Sequence, residues 1–183
     1  SIEFDEIKTN WKLLMENFIE PYHVQFVHKT TTSQPLADHY VVEDEHCLGS
    51  AVDLTSEQKN KGKEGTLSVS SRYLTLFPNF VLGVYYPDQL GVHLNQPISA
   101  GTTHQRRVIY QLKSIDQSAD EIKKIRKLWI SVHKEDHVIC ERLQQGRHSD
   151  LSEQGGLLSP HWESSVRKFQ ELVADSIRPA FKH

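Results

Sequence analysis

Residues 10–28 have the sequence NWKLLMENFIEPYHVQFVH, which combines a helical pattern with two histidines. The apolar residues of its first half recur at helical spacing, at Trp11, Leu14, Met15, Phe18 and Tyr22. This spacing predicts a short amphipathic helix that runs up to Pro21. Because proline lacks the backbone N–H that continues a helix, we expect the helix to kink or end at Pro21.

The polar residues of this stretch have a spacing of their own. On a helix, Asn17, Glu20 and His23 would lie along a slanted row opposite the apolar stripe. His28 lies five positions after His23, so on a straight helix the two rings would point apart. A kink near Pro21, or a helix end soon after His23, would bring both imidazoles to one point. The alternative is a pair of histidines that only form hydrogen bonds.

A carboxylate lies on an apolar stripe far along the chain. Helical spacing returns from about residue 118 to residue 146, and one stripe of that helix holds Trp129, Val132, Asp136, Ile139 and Leu143. A buried, ionised Asp136 requires a positive partner. The stripe carries no Lys or Arg, although Arg126 and Arg142 flank it. A solvent-facing Asp136 on a helix of different phase is the alternative.

Two imidazoles and one carboxylate, from His23, His28 and Asp136, form a recognised ligand set. The 2-His-1-carboxylate triad binds Fe(II) and leaves positions open for dioxygen and substrate. A divalent metal is also the cation that a buried Asp136 needs. Zinc with a catalytic water can use the same ligands, so the spacing leaves both metals open.

The remaining pattern predicts an α+β fold. From Leu67 to Leu112 the apolar residues fall in short, partly alternating runs broken by proline and glycine, as in an antiparallel meander. Helical spacing follows over residues 118–146 and 159–181. We therefore expect the order helix, sheet, two helices, with helices on one face of the sheet. Residues 43–65 are mostly polar and predict a solvated loop.

Composition restricts the classes of partner. The chain has 183 residues, 37% of them hydrophobic, and a formal net charge of −3, which predicts one globular domain without a basic surface for nucleic acid or anionic membrane. We find neither an apolar run of membrane-spanning length nor a signal peptide, and expect a cytoplasmic location. The two cysteines, Cys47 and Cys140, are interpreted as reduced, packed thiols.

Together these motifs resemble the catalytic domain of Rieske-type ring-hydroxylating oxygenase alpha (large) subunits. The first stretch is similar to that family's NWK…ENF…(D/E)xYHxxxxH signature. Further similarities are LFPN at residues 76–79, interpreted as a strand, the ED…E…QQG helix at 135–146, and GGLLSP at 155–160. The resemblance implies a helix-grip fold (Bet v 1/START-like), in which an antiparallel sheet wraps around a long C-terminal helix and encloses a substrate cavity.

The resemblance also implies roles for individual residues. It makes His23, His28 and Asp136 the ligands of a mononuclear Fe(II), and it places Asn17 near the metal. Glu20 matches an acidic residue that connects a ligand histidine to a Rieske-cluster histidine in the neighbouring subunit. Many relatives have Asp at that position, so the longer Glu20 changes the geometry of this connection.

The activity implied is activation of O₂ to hydroxylate, dihydroxylate or oxidatively dealkylate an aromatic or other small organic substrate. Electrons would come from a [2Fe–2S] Rieske cluster, and ultimately from NAD(P)H through a reductase or ferredoxin. Residues 1–183 contain neither the CxH nor the CxxH pair that holds such a cluster. We therefore interpret the chain as a single catalytic domain, expect the cluster on another domain or chain, and expect a homotrimer.

Two other function classes remain open. A helix-grip module that binds a hydrophobic ligand without redox chemistry would use the same cavity, and a zinc hydrolase would use the same ligands. Most other histidines, His39 and His93 among them, are interpreted as ordinary solvated or capping residues. His133, one turn before Asp136, is a reserve ligand if the helix has a different phase.

Overall fold

The computed structural model describes residues 1–63, 65–112 and 118–181. Within them lies one seven-stranded antiparallel sheet of order β1-β7-β6-β5-β4-β3-β2. The strands are β1 (Ile2–Ile7), β2 (His39–Glu43), β3 (Cys47–Val52), β4 (Ser71–Leu76), β5 (Phe80–Tyr85), β6 (Gln89–Ser99) and β7 (Thr102–Gln111). Strands β2 to β7 form a meander, and β1 pairs with β7 at the far edge.

The α-helices are α1 (Trp11–Ile19), α2 (Val24–Val27), α3 (Ser56–Asn60), α4 (Ala119–Gly146) and α5 (Ser164–Ile177). The long helix α4 has 28 residues and begins with a capping box between Ser118 and Glu121. The α+β, helix-grip prediction is confirmed: an antiparallel sheet is combined with a long helix. In the described ranges, no helix has the length and apolarity needed to cross a bilayer.

Helix α1 connects the sheet to α4 and α5, and this contact positions the site. Its buried face meets the sheet and α5 in one core cluster formed by Met15, Ile19, Leu48, Val81, Val166 and Phe169. A second cluster joins Ile2 and Tyr85 of the sheet to Trp129 of α4. Because α1 and α4 pack on the same sheet, the end of α1 is held next to the middle of α4.

The structure corrects four predictions about elements. The solvated loop predicted for residues 43–65 is wrong for Cys47–Val52, which form β3, where all residues after Cys47 are buried; residues 55–63 are mostly exposed but include the short helix α3, and residue 64 lies outside the described residues. A Cβ at Gly49 would lie 1.8 Å from the carbonyl oxygen of Tyr73 on the neighbouring strand, so this small residue allows close strand pairing. Residues 76–79 form the end of β4 and the turn into β5 rather than a strand of their own.

The predicted order, with a helix first, is also wrong, because β1 precedes α1. Only Ile2 and Ile7 of this edge strand are buried, so the segment lacks a clear apolar alternation. The last helix begins at Ser164 rather than near Ser159, and a 3₁₀ turn, Arg178–Phe181, follows it. The meander β4 to β7 and helix α4 agree with the sequence pattern.

Candidate metal centre

His23 and His28 lie at the two ends of the one-turn helix α2. Helix α1 ends at Ile19, and Glu20 has an extended backbone with φ −97° and ψ 145°. The two imidazole rings have centroids 5.2 Å apart and planes inclined by 74°. The predicted break near Pro21 therefore brings the rings together. The expected row of Asn17, Glu20 and His23 on one helix is wrong, because the helix ends before Glu20.

Asp136 of α4 completes the group. Its Oδ1 lies 3.1 Å from Nε2 of His28 and 3.6 Å from Nε2 of His23. The side-chain amide of Asn17 donates a 2.9 Å hydrogen bond to the same oxygen. One donor atom from each of His23, His28 and Asp136 falls within 4.8 Å of the others. The three residues singled out as ligands, together with Asn17, thus meet at one point.

Each imidazole is held from behind by a carboxylate. Nδ1 of His23 lies 2.7 Å from Oε1 of Glu20, whose other oxygen accepts from the His23 backbone N–H. Nδ1 of His28 lies 2.8 Å from Oε2 of Glu135. Because a carboxylate only accepts, both Nδ1 atoms are the donors, so each Nε2 faces Asp136 and becomes available to a metal when it carries no proton.

Glu135 contacts His28, and the sequence patterns did not single it out. It follows Lys134 and precedes Asp136, and the hydroxyls of Thr30 and Thr31 also donate to it. The Glu-Asp pair at 135–136 was part of the quoted motif, but sequence spacing gives no information about which nitrogen of His28 faces which carboxylate.

The charges of the group depend on one another. Burial alone would raise the pKa of Asp136, but the charge of His28 and its hydrogen bond lower it below its usual value, with help from His23 and Asn17. Burial alone would lower the pKa of His28, yet the charge of Asp136 and hydrogen bonds to Asp136 and Glu135 raise it to about 9. In the described part of the chain, no Lys or Arg forms a salt bridge with Asp136, so Arg126 and Arg142 are not its partners.

The site opens into a cavity of about 570 Å³, including its mouth. Its walls include the aromatic side chains Phe18, Tyr73, Tyr85 and Trp129 and the polar side chains His93, Arg107 and His133. Aromatic walls with a few polar side chains are typical of a site for a small organic molecule.

Three histidines that were interpreted as solvated or capping residues, or as a reserve ligand, are buried in the structure. His39, His93 and His133 are 5%, 2% and 4% exposed. Burial lowers the pKa of His39 to about 4 and holds the pKa values of His93 and His133 well below the usual value. Nε2 of His133 lies 2.7 Å from Nη1 of Arg107, so His133 is not the reserve ligand of the group.

The family model described as "Ring hydroxylating alpha subunit (catalytic domain)" matches residues 2–178. The chain belongs to this family. Among curated proteins, this ring-hydroxylating alpha subunit domain is 27% identical over 158 residues to the chloroplastic choline monooxygenase of Atriplex hortensis, covering 84% of the chain and 34% of the relative. The chloroplastic choline monooxygenase of Spinacia oleracea is 24% identical over 157 residues, and the match covers 84% of this chain and 35% of that protein.

Solved structures share the fold. A solved structure of a quaternary ammonium Rieske monooxygenase, whose description mentions carnitine oxidation by gut microbiota, matches with a TM-score of 0.77 and 20% sequence identity. This match covers 96% of this chain and 49% of that chain. The structure of dicamba monooxygenase bound to dicamba matches with a TM-score of 0.73 and 17% sequence identity, and the match covers 97% of this chain and 59% of that chain. The domain thus spans about a third of the length of these curated relatives and about half of these solved chains.

Proposed function

We propose that this chain is the catalytic domain of a Rieske non-haem iron oxygenase, with Fe(II) held by His23, His28 and Asp136. The observation that carries the proposal is the convergence of two imidazole nitrogens and a carboxylate oxygen within 4.8 Å. The donor set fits the metal, because neutral imidazoles and carboxylates are ligands of Fe(II) in the facial triad. Membership of the ring-hydroxylating family supports iron over zinc.

The surrounding residues have separate tasks in this proposal. Glu20 and Glu135 fix the tautomers of the two imidazoles and increase their basicity. The amide of Asn17 orients the carboxylate of Asp136. Glu20, Glu135 and Asp136 also place three carboxylates beside the two imidazoles, and a divalent cation bound there would balance part of their charge.

Bound Fe(II) would supply the activation of O₂. For hydroxylation, the balanced reaction takes substrate, O₂, two electrons and two protons to hydroxylated product and water, whereas dihydroxylation keeps both oxygen atoms in the product. The aromatic walls of the cavity, among them Phe18 and Trp129, hold the organic substrate and exclude bulk water. Oxidative dealkylation follows from hydroxylation of a carbon next to a heteroatom.

The electrons are proposed to come from a [2Fe–2S] Rieske cluster on another domain or chain, and ultimately from NAD(P)H through a reductase or ferredoxin. Glu20 holds His23 with both oxygens, and we propose that a neighbouring subunit of a homotrimer brings its cluster to this residue. The assignment of residues 1–183 to one catalytic domain, and a cytoplasmic location, stay predictions.

Metal analysis after anaerobic purification, followed by nitric oxide binding to the Fe(II)-loaded chain and EPR, tests the proposal. An iron site that binds nitric oxide supports an open position for O₂. Zinc together with a hydrolytic activity that is lost in His23→Ala supports a hydrolase instead. A chain that takes up no Fe(II) under titration supports a helix-grip carrier.

A further inference from the structure

Arg107 is a buried cation in the wall of the cavity. It lies on β7 and is 1% exposed. Its Nη1 donates to Nε2 of His133 at 2.7 Å, and its Nη2 donates to the hydroxyl of Tyr85 at 3.4 Å. Its Nε is buried and has no hydrogen-bond partner among the residues that the structure describes. A guanidinium has five N–H donors, so these two bonds leave most of its hydrogen-bonding capacity unused.

The charge of Arg107 also lacks a direct counterion. Among the residues that the structure describes, no carboxylate forms a salt bridge with it. Its close neighbours His93 and His133 are neutral near pH 7, because burial lowers their pKa values far below the usual range. The ring of Trp129 lies 3.8 Å from the guanidinium carbon and compensates part of the charge. The charge of Asp136 also acts on Arg107, but without a direct ion pair. A buried guanidinium without a directly bound anion is costly, so an anion that joins it would be stabilised.

The sheet makes room for this group. A Cβ at Gly91 on β6 would lie 2.7 Å from Nη2 of Arg107, so the glycine creates the space that the guanidinium occupies. Arg107 lines the same cavity as the candidate metal ligands. Its partner His133 precedes Asp136 by one helical turn, a rise of about 4.5 Å. A small molecule can therefore contact Arg107 while another part of it lies near Asp136.

We propose that Arg107 binds a carboxylate of the substrate, so that the substrate is a small organic acid or zwitterion rather than a simple cation. The inference rests on the proposed oxygenase function, whose cavity it shares. The planar guanidinium fits a carboxylate through paired hydrogen bonds, and the aromatic walls hold the remainder of the molecule. Choline, which names the curated relatives, brings a positive charge and no carboxylate to this wall.

Matched pairs of acid and amide test the proposal by isothermal titration calorimetry. The pairs are benzoate with benzamide and γ-butyrobetaine with its amide, and choline is a cationic probe. We expect at least one acid to bind about tenfold or more tightly than its amide, the effect of about 1.4 kcal/mol. Arg107→Gln should abolish this preference. Arg106→Gln should keep it, because the adjacent Arg106 side chain is 58% exposed and lies near Glu3.

Each titration is run on metal-free and on Fe(II)-loaded chain. An acid preference in the metal-free chain that depends on Arg107 supports the proposal, even if a separate Fe(II) titration fails and removes the oxygenase function. The proposal is overturned if no acid binds, if acids and amides bind equally, or if the preference survives in Arg107→Gln with or without the metal. If Arg107→Gln does not fold, Arg107→Lys replaces it and should weaken acid binding, because lysine lacks the guanidinium fork; unchanged binding overturns the proposal.

Discussion

Glu135 lies 2.8 Å from Nδ1 of His28, the ring nitrogen that does not face Asp136. The neighbouring residue Asp136 approaches Nε2 of the same ring at 3.1 Å. Two consecutive residues of α4 thus hold both nitrogens of one imidazole. Thr30 and Thr31 hold Glu135 in turn, so the orientation of His28 is fixed by the protein itself.

Replacing Glu135 should weaken metal binding. We expect Glu135→Gln to reduce the affinity for Fe(II) by about tenfold to a hundredfold, because the neutral amide no longer increases the basicity of His28. Competition titration under anaerobic conditions measures the affinity. Glu153→Gln, in an exposed turn after α4, is the control and should bind like the unaltered chain. Equal affinities for Glu135→Gln and the control would contradict the role of Glu135.

Enlarging Gly91 should displace the guanidinium of Arg107. In Gly91→Ala the new Cβ meets the flexible end of this side chain, so the fold should survive while benzoate or γ-butyrobetaine binds more weakly. We expect a loss of about threefold to tenfold, since a shift of this size weakens the hydrogen bonds without removing the charge. Gly101→Ala is the control, because a Cβ there contacts nothing within 4 Å. Calorimetric titration of both variants decides the matter, and unchanged acid binding in Gly91→Ala counts against the position assigned to Arg107.

Phe169 should contribute strongly to stability. It is 1% exposed and makes edge contacts with Trp11 and Phe77, which join α5 to α1 and the sheet. Phe169→Ala should lower the free energy of unfolding by about 3–5 kcal/mol. Ile177→Ala, at a side chain that is 52% exposed, should cost less than about 1 kcal/mol. Urea unfolding gives both values, and a small loss for Phe169→Ala would contradict the packing of α5.

Mild acid should destabilise the metal-free chain through its buried histidines. The pKa of His39 is lowered by burial to about 4, whereas the unfolded chain binds this proton near pH 6.5. Stability from His39 is therefore fully present above about pH 6.5 and declines as the pH falls towards 4, by up to about 1.4 kcal/mol per pH unit. His28, whose pKa is raised to about 9, stays protonated in the folded chain, so its contribution to the pH dependence opposes that of His39 near and above pH 6.5 and disappears well below pH 6.5.

Urea unfolding at several pH values between 7 and 5 measures this slope. His39→Gln should make it shallower, because the residue that takes up a proton only on unfolding is gone. His46→Gln, with a side chain 63% exposed in the original, should leave the slope unchanged. Identical slopes for the two variants would show that His39 is not the group responsible.

The sequence patterns predicted those parts of the site that follow from the spacing of residues within one segment of the chain. The spacing in residues 10–28 and the break at Pro21 pointed to His23 and His28, and a helical stripe pointed to Asp136. Glu135 was missed because the assignment of carboxylates to ring nitrogens depends on how α2 packs on α4. Strand β3 was missed because small residues such as Gly49 and Ser50 weaken its apolar signal, although the sheet buries them.

The burial of Arg107 could not be predicted from the apolar pattern of its strand. On β7, Thr103, Gln105 and Arg107 are the buried positions, whereas Tyr110 on the other face is 55% exposed. The usual assumption that apolar residues point inward therefore selects the wrong face of this strand. Arg107 faces inward because it lines the cavity, whereas Thr103 and Gln105 are buried with hydrogen bonds to the backbone oxygen of Thr9 and to the side chain of Asn95.

Titration of the metal-free chain with Fe(II) under anaerobic conditions tests the central proposal most directly. We expect binding of about one Fe(II) per chain, and loss of that binding in Asp136→Ala, with the fold retained as judged by circular dichroism. Full occupancy in Asp136→Ala, or no uptake by the unaltered chain, would contradict it.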